Sequence, residues 1–413
     1  MKLDAEVVIV GGGPAGTTTA LALTREVPRL ADRTVLLEKA TYPRDKPCAG
    51  ALGARGDALL RALGISVDVE SVPIDGMSFL GVEGFVKAIP GRIGRIVRRR
   101  EFDHALARQV EARGVRVHDG VCVTGLIDEG PSGVVVQTTQ GTLRAAFVAG
   151  CDGIGSVVRR SLSVGRGRWL AQVIETDTEP LRGEDDRTLR FDASDRGLNG
   201  YAWDFPTIVD GRPMVSRGVY DFKGEGHDES GADDVAAVLA ARLIGLGIDP
   251  ARCPTKRYAE RGFESTTLLA RGRCMLVGEA AGIDALTGEG IAQAIEYGVL
   301  AGRFLERELR TSRGAAGDLS EWNAEVRRSR LARDLRTRAR FVPIFYGPRR
   351  FELQRFFVAS SSALSIGARH FGARPQRCHE IGEVAVRGLA HVVLRGLDGW
   401  VRAAFPRGME RRA

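Results

Sequence analysis

Three glycines near the start of the chain have the spacing of a phosphate-binding turn. Gly11, Gly13 and Gly16 follow the apolar run Ala5–Val10, which is typical of a buried parallel strand, and they precede a segment rich in Ala and Leu that predicts a helix. The first glycine allows a tight turn, the second lets the backbone approach a pyrophosphate, and the third permits close packing of helix on strand. The unpaired N–H groups of the helix N-terminus then face the anionic oxygens. The spacing and its context therefore predict a dinucleotide site.

An acidic residue stands where such a site needs one. Glu38 directly follows the second apolar run, Thr34–Leu37, about 20 residues after the last glycine of the turn. A carboxylate at this place bonds a ribose hydroxyl and disfavours a 2′-phosphate, so the residues predict the ADP half of FAD or of NAD rather than NADP. These residues alone leave the choice between FAD and NAD open.

Later segments resemble the fingerprints of one flavoprotein superfamily. Residues 150–159 (GCDGIGSVVR), 278–282 (GEAAG) and 287–291 (TGEGI) are similar to the additional motifs of the para-hydroxybenzoate hydroxylase-like FAD superfamily. Arg99 matches the arginine of that superfamily that reaches the cofactor. An NAD dehydrogenase needs none of these segments, so the resemblance implies FAD.

The resemblance also implies which residues surround FAD. The Asp152 segment is expected near the pyrophosphate and the ribityl chain, and the helix after residue 290 is expected to face the flavin pyrimidine. Glu279 stands where the superfamily has Asp, so the contact with the ribityl chain must shift or pass through water, and a degenerate member without flavin is the alternative. The expected cofactor-binding residues are Gly11, Gly13, Pro14, Ala15, Gly16, Glu38, Lys39, Cys48, Ala49, Gly50, Arg99, Val123, Asp152, Gly278, Glu279, Gly288, Gly290 and Ile291.

Two further segments resemble the geranylgeranyl reductase family. Residues 46–52 (KPCAGAL) are similar to its PCGG-type segment, with Ala49 in place of a glycine, and residues 200–206 (GYAWDFP) are similar to its Y-x-W-x-F-P motif. The resemblance places Cys48 beside the flavin, where a thiol can shape the pocket or deliver a proton. A small buried hydrophobic residue is the alternative for Cys48.

The aromatic motif predicts an apolar wall. Tyr201, Trp203 and Phe205 share one face of a strand because strand side chains alternate, and with Pro206 they are the expected substrate-binding residues. Periodicity alone favours the alternative, in which these aromatic side chains fill an ordinary core. The family resemblance favours a wall that contacts a long hydrocarbon or polycyclic ligand.

The resemblance implies an FAD-dependent reductase that saturates carbon–carbon double bonds of an isoprenoid or similarly apolar substrate by hydride transfer from reduced flavin. NADPH, ferredoxin or another electron-donor protein can supply the electrons, since no second dinucleotide motif identifies the donor. The alternative is a flavin monooxygenase or halogenase that acts on a natural-product scaffold. The run after Gly282 lacks the His and Pro of aromatic hydroxylases, and residues 201–206 depart from the W-x-W-x-I-P of halogenases. A third hypothesis is a binding module derived from a flavoprotein.

Charge and composition limit the cellular setting. The chain has 413 residues and a net charge of +8, and residues 321–413 hold 19 Arg and no Lys against 8 acidic residues. Six cysteines without a C-x-x-C pair and six histidines without metal-ligand spacing predict a reduced, cytoplasmic protein that binds no metal. No apolar run is long enough to span a bilayer, and residues 1–4 run straight into a predicted strand without an apolar signal core, so we expect no export. We expect no nucleic-acid partner, but we expect peripheral contact of the basic C-terminal segment with anionic membrane.

The elements that must position these residues predict an α/β fold. It comprises a Rossmann-type FAD-binding domain with a parallel sheet, an inserted substrate domain with an antiparallel sheet, and a C-terminal helical segment. Residues 115–123 predict one strand, residues 221–234 a surface loop, and residues 381–405 an apolar helical stripe that either caps the substrate domain or meets lipid. The expected ranges are 1–71, 96–164 and 266–320 for the FAD domain, 72–95 and 165–265 for the substrate domain, and 321–413 for the helical segment.

Overall fold

The computed structural model describes residues 3–184, 187–224, 235–311, 317–347 and 350–387. The strands in chain order are β1 (Ala5–Val10), β2 (Thr34–Leu37), β3 (Ala51–Gly53), β4 (Ser71–Ile74), β5 (Gly76–Gly81), β6 (Gly84–Ala88), β7 (Gly94–Val97), β8 (Arg116–His118), β9 (Val123–Asp128), β10 (Val134–Thr138), β11 (Gly141–Gly150), β12 (Leu170–Thr178), β13 (Thr188–Asp192), β14 (Gly200–Val209), β15 (Arg212–Lys223), β16 (Lys256–Arg261), β17 (Ala270–Arg271) and β18 (Cys274–Leu276). The helices are α1 (Pro14–Glu26), α2 (Ala54–Ala62), α3 (Arg99–Ala112), α4 (Val157–Ser161), α5 (Val235–Gly245), α6 (Ile291–Thr311), α7 (Trp322–Arg328), α8 (Arg330–Phe345), α9 (Arg350–Val358) and α10 (Ser361–Phe371).

The first sheet has a parallel centre, as predicted. Its main strand order is β17-β18-β11-β1-β2-β8, and β1 pairs in parallel with both β2 and β11. Val7, Val8 and Ile9 of β1 are fully buried, because α1 and α6 pack against this sheet and the apolar run faces a core on both sides. The carboxyl ends of β1, β2 and β11 therefore meet at one edge, where a dinucleotide binds in folds of this type.

Two local predictions about strands and loops are wrong. Residues 115–123 do not form one strand, because β8 ends at His118, the chain bends at Gly120 with φ of 68°, and β9 begins at Val123. Between them the N–H of Val121 donates to the carbonyl of Glu38, which ties the bend to the sheet edge. The surface loop predicted over residues 221–234 begins too early, because Asp221 is buried within β15. Residues 225–234 lie outside the described residues.

The second sheet has the strand order β16-β12-β15-β14-β13-β5-β6 and is antiparallel except for the β13–β5 pair. Its strands come from residues 76–88 and 170–261, so two separate parts of the chain build one surface. A small third sheet has the strand order β3-β7-β4, and β5 and β6 of the second sheet stand between its β4 and β7 in the chain. The domain boundaries remain a prediction.

Most of the C-terminal residues that the structure describes are helical, as predicted. Val342 of α8 and Ala368 and Phe371 of α10 belong to the same buried apolar cluster as the aromatic face of β14, so these helices cover the second sheet. Residues 378–387 are also helical, and Ile381 in the predicted apolar stripe is 47% exposed. The stripe beyond residue 387 lies outside the described residues. Among the described helices, none has both the length and the apolar character needed to cross a membrane.

Candidate active site

Two large cavities meet in the middle of the molecule. The first, of about 610 Å³, runs along the carboxyl edge of the parallel sheet and is called the groove below. The second, of about 630 Å³, lies between the second sheet and the C-terminal helices and is called the aromatic cavity. The residues that line both, and so form their junction, are Cys48, Tyr258, Glu260, Gly288, Gly290 and Ile291.

The three glycines of the turn serve different purposes. A Cβ on Gly11 would lie 2.4 Å from the carbonyl oxygen of Cys151, and a Cβ on Gly16 would lie 1.9 Å from the carbonyl oxygen of Gly11, so the fold itself requires both glycines. A Cβ on Gly13 would meet nothing nearer than the Nη2 atom of Arg99 at 3.5 Å. The space over Gly13 is therefore free for a ligand, and it fits the close approach of a pyrophosphate to the backbone.

Two arginines border this space. The Arg99 guanidinium makes two 2.7 Å hydrogen bonds to the carboxylate of Asp103, which is fully buried, and Arg44 Nη2 lies 3.0 Å from the same carboxylate. The Nε atom of Arg44 is buried and makes no hydrogen bond with the described residues, although it forms an ion pair with Glu38. Asp103 thus holds two cations beside Gly13, which fits an anionic ligand. Sequence reasoning identified Arg99 but missed Arg44, whose local sequence carries no motif.

Glu38 lies at the end of β2 with its side chain fixed in the groove. Its two carboxylate oxygens accept hydrogen bonds from the N–H of Gly12 at 2.9 Å and from the N–H of Ala40 at 3.1 Å. Arg44 Nε lies 3.3 Å from the same carboxylate. Each carboxylate oxygen has a second lone pair, so Glu38 can still accept a ribose hydroxyl.

Asp152 and Glu279 lie farther along the groove. The Asp152 carboxylate accepts hydrogen bonds from the Ser156 hydroxyl at 2.6 Å and from the N–H of Val157 at 2.7 Å, so it caps the short helix α4. Burial raises the pKa of Asp152. Glu279 follows β18 and forms an ion pair with Lys46, whose Nζ lies 3.4 Å from a Glu279 oxygen. The longer acid therefore bridges to the loop that precedes Cys48.

Most of the predicted cofactor-binding residues line the groove, namely Gly11, Gly13, Pro14, Ala15, Glu38, Lys39, Cys48, Arg99, Val123, Asp152, Glu279, Gly288, Gly290 and Ile291. Ala49 and Gly50 line the aromatic cavity instead. Gly16 and Gly278 line neither cavity, because both pack beneath the groove at α1. The groove fits FAD by its glycine turn, its two cations and the acid at the end of β2.

The aromatic motif forms one wall of the aromatic cavity. Tyr201, Trp203 and Phe205 all line it, whereas Pro206 does not, because alternation along β14 turns Pro206 toward the other face. Trp203 is only 3% exposed, and its indole N–H lies 3.3 Å from the Ser216 hydroxyl, which accepts its hydrogen bond. These side chains therefore both line a cavity and fill a core, and the two alternatives left open by the periodicity coexist.

Helix α8 closes the opposite side of the aromatic cavity. Phe341, Phe345 and Tyr346 at its C-terminal end line the cavity. Earlier in the helix, Arg338 binds Asp284 and Glu289, each at 2.6 Å, and so anchors the loop that carries the junction glycines. These contacts join residues far apart in the chain, and sequence reasoning missed them.

Several protonatable groups lie at the junction or directly beside it. The N–H of Cys48 donates to Glu175 at 2.7 Å, and the hydroxyl of Tyr258 donates to the other oxygen of Glu175 at 3.3 Å. Burial raises the pKa of the Cys48 thiol and raises the pKa of Glu175 to about 7. Cys48 lines the junction, and its place beside a flavin stays a prediction of the family resemblance. The acids around it were missed because no motif marks them.

Comparisons with known proteins agree with this geometry. A family model described as an FAD binding domain matches residues 4–318. The menaquinone reductase of Mycobacterium tuberculosis (strain ATCC 25618 / H37Rv) is 30% identical over 341 residues, which cover 74% of this chain and 78% of that protein. The digeranylgeranylglycerophospholipid reductase of Methanocella arvoryzae is 28% identical over 349 residues, which cover 79% of this chain and 84% of that protein.

A solved structure shares the whole architecture. The geranylgeranyl bacteriochlorophyll reductase-like protein from Thermoplasma acidophilum aligns with a TM-score of 0.63 and 17% identity, over 95% of this chain and 98% of that chain. At this identity the likeness shows the fold alone. Flavin-dependent halogenases have the same fold, so the architecture by itself does not distinguish reduction from halogenation.

Proposed function

The chain belongs to the FAD-binding domain family and is an FAD-dependent oxidoreductase with geranylgeranyl reductase-like relatives. From this premise we propose that it saturates carbon–carbon double bonds of an isoprenoid or similarly apolar substrate. The observation that carries the proposal is the aromatic cavity, which opens into the groove at Cys48 and Gly288. An apolar chain held against Trp203 can thereby reach the flavin end of the groove.

The residues of the groove would hold the cofactor. The backbone at Gly13 and the cations Arg44 and Arg99 would bind the pyrophosphate, and Glu38 would bind the ribose. Bound FAD, once reduced by a nicotinamide or by an electron-transfer protein such as ferredoxin, would supply the hydride.

The aromatic cavity would orient the substrate and exclude water. An unactivated alkene stabilises little charge, so alignment of the double bond and exclusion of water must lower much of the barrier. Trp203 and Phe205 on one side and Phe345 and Tyr346 on the other offer flat apolar surfaces for this purpose. The neutral thiol of Cys48 would narrow the junction between the two cavities.

The proposal is tested by reducing the FAD-loaded protein without oxygen and following its reoxidation. We expect geranylgeraniol or menaquinone to reoxidise the flavin and to gain two hydrogens per double bond, as measured by mass spectrometry. If the flavin is reoxidised only by oxygen and the product is hydroxylated or halogenated, the protein is an oxygenase or halogenase and the reductase proposal is wrong.

A pair of aromatic substitutions tests the cavity. Trp203→Ala removes wall surface while it leaves the groove intact, so turnover should fall far more than FAD content. Phe85→Ala is the matched control, because Phe85 is 61% exposed and lies outside both cavities. Cys48→Ser should slow reoxidation by substrate without unfolding the chain. Parallel loss of flavin, solubility and activity in Trp203→Ala and Cys48→Ser would mean that these side chains only fill the core.

We also propose reversible contact with anionic membrane, where a polyprenyl substrate would reside. Phe341 and Ile344 of α8 are 44% and 43% exposed, Phe341 lines the aromatic cavity, and the exposed Arg333 and Arg340 lie on the same helix. An apolar edge flanked by cationic side chains favours binding to an anionic lipid surface. Cosedimentation with anionic vesicles should be strong at low salt and weak at high salt. Equal binding to neutral and anionic vesicles would contradict this proposal.

A further inference from the structure

We infer that Glu260 is the proton donor of the reaction, an assignment that rests on the proposed function. A reductase of this kind needs a proton for the alkene carbon that does not receive the hydride. Glu260 lies on β16 and lines both the groove and the aromatic cavity. It is therefore placed where a substrate double bond would meet the flavin end of the groove.

One oxygen of the Glu260 carboxyl lies at the junction without a hydrogen-bond partner among the described residues. Register pairs Glu260 with Ala171 and Tyr258 with Val173 of β12, so Tyr258 and Glu260 point to the same face of the sheet. The Oε2 atom of Glu260 is buried and makes no hydrogen bond with any described residue. A buried polar atom without a partner costs free energy, so this carboxyl is arranged for a ligand rather than for the fold.

The loop opposite Glu260 is shaped around this oxygen. Gly288 has a φ of 68°, and a Cβ at that position would lie only 2.7 Å from the Oε2 atom of Glu260. Any side chain there would strain the backbone and also displace the carboxyl. The glycine thus keeps the junction open directly in front of Glu260.

The charged groups around Glu260 keep it protonated. Burial raises the pKa of Glu260 well above its usual range, and the nearby carboxylates of Glu279, Asp284 and Glu175 raise it further. Lys46 acts in the opposite direction, but it is 43% exposed and already pairs with Glu279. The Glu260 side chain is therefore a neutral carboxylic acid at neutral pH, with a proton to give.

Protonation then balances the reaction. Bound FAD in its reduced form would supply the hydride, with its two electrons, to one alkene carbon. The O–H bond of Glu260 would break, and its proton would form the C–H bond at the other carbon. The carboxylate left behind regains a proton from water. Cys48 and Tyr258 also line the junction, but burial raises the pKa of each and leaves them weaker acids than a carboxyl group.

Glu260→Gln and Glu260→Asp form the test pair, with geranylgeraniol as the probe substrate and FAD-loaded full-length protein. The amide keeps the size of the side chain but has no transferable proton, so FAD affinity should be unchanged while the rate of reoxidation by the probe falls about 100-fold or more. Aspartate keeps an acid and should retain part of the rate. In the wild type the rate should fall as the pH rises through the pKa of the carboxyl, and in Glu260→Gln this dependence should vanish.

An infrared measurement tests the same assignment without turnover. At neutral pH the wild-type protein should show a carboxylic acid C=O band that shifts in D₂O and is missing in Glu260→Gln. If this band is absent from the wild type, or if Glu260→Gln reduces the probe as fast as the wild type, Glu260 is not the donor and the reductase proposal still stands. A wild-type protein that never passes electrons to the probe overturns both.

Discussion

The same substitution at two glycines of one turn should have opposite effects on fold and ligand. Gly13 has φ of −76° and ψ of −175°, which any residue adopts, and an added Cβ would meet no protein atom within 3.4 Å. A Cβ on Gly16 would lie 1.9 Å from the carbonyl oxygen of Gly11. Gly13→Ala therefore changes only the space for the pyrophosphate, whereas Gly16→Ala forces α1 away from β1.

The expected magnitudes follow from these distances. A methyl group on Gly13 should cost the bound cofactor one or two charge-assisted hydrogen bonds, or about 3 kcal/mol, which corresponds to about a 100-fold rise in the Kd for FAD. The apoprotein should gain about 0.4–1 kcal/mol, because alanine restricts the unfolded chain. Gly16→Ala should destabilise the apoprotein by about 1–3 kcal/mol, because backbone atoms cannot give way as a flexible side chain can.

Fluorescence titration with FAD and denaturant unfolding of the apoproteins measure the two effects separately. We expect Gly13→Ala to show weak FAD binding with an unfolding midpoint at or above that of the wild type, and Gly16→Ala to show a lowered midpoint. Wild-type FAD affinity in Gly13→Ala would refute the placement of the pyrophosphate over this residue. Equal destabilisation of both apoproteins would refute the assignment of their separate roles.

Three further predictions concern charged side chains. Glu279→Asp should keep or tighten FAD binding, as measured by titration, because it restores the shorter acid of the superfamily; a large loss of affinity would contradict this. Arg217 is fully buried between Glu184 and Asp204, and each of these carboxylates also pairs with a second arginine, Arg190 and Arg242 respectively. Arg217→Ala should therefore lower the free energy of unfolding by about 3 kcal/mol, measured by denaturant titration, since each carboxylate loses one of its two cations; a change below about 1 kcal/mol would count against it. Burial raises the pKa of Glu175 from 4.5 to about 7, so its contribution to stability should fall as the pH rises from about 5 to 7. Glu175→Gln should make the free energy of unfolding depend less on pH over this window. An unchanged slope against pH would contradict the assignment of this dependence to Glu175.

The local elements of the fold could be predicted from sequence because their causes are local. The glycine turn between β1 and α1, the acid after β2 and the long helix α6 each depend on residues that are neighbours in the chain, through backbone sterics, strand burial and helical periodicity. The strand predicted over residues 115–123 failed for the opposite reason. Its alternating pattern was correct, but pairing with the Glu38 edge through Val121 breaks it at Gly120.

The sequence by itself determined the dinucleotide-binding turn and the aromatic face of β14, since spacing decides which side chains share a turn or a strand face. FAD rather than NAD came from the resemblance of three further segments to a flavoprotein superfamily. Only the tertiary structure showed that Arg44 joins Arg99 at Asp103 and that Glu260 faces Gly288 across the junction. These groups come from separate sheets and loops and carry no common spacing. Their burial, their protonation states and their lack of hydrogen-bond partners arise only in the folded structure, because desolvation depends on what surrounds a side chain in space.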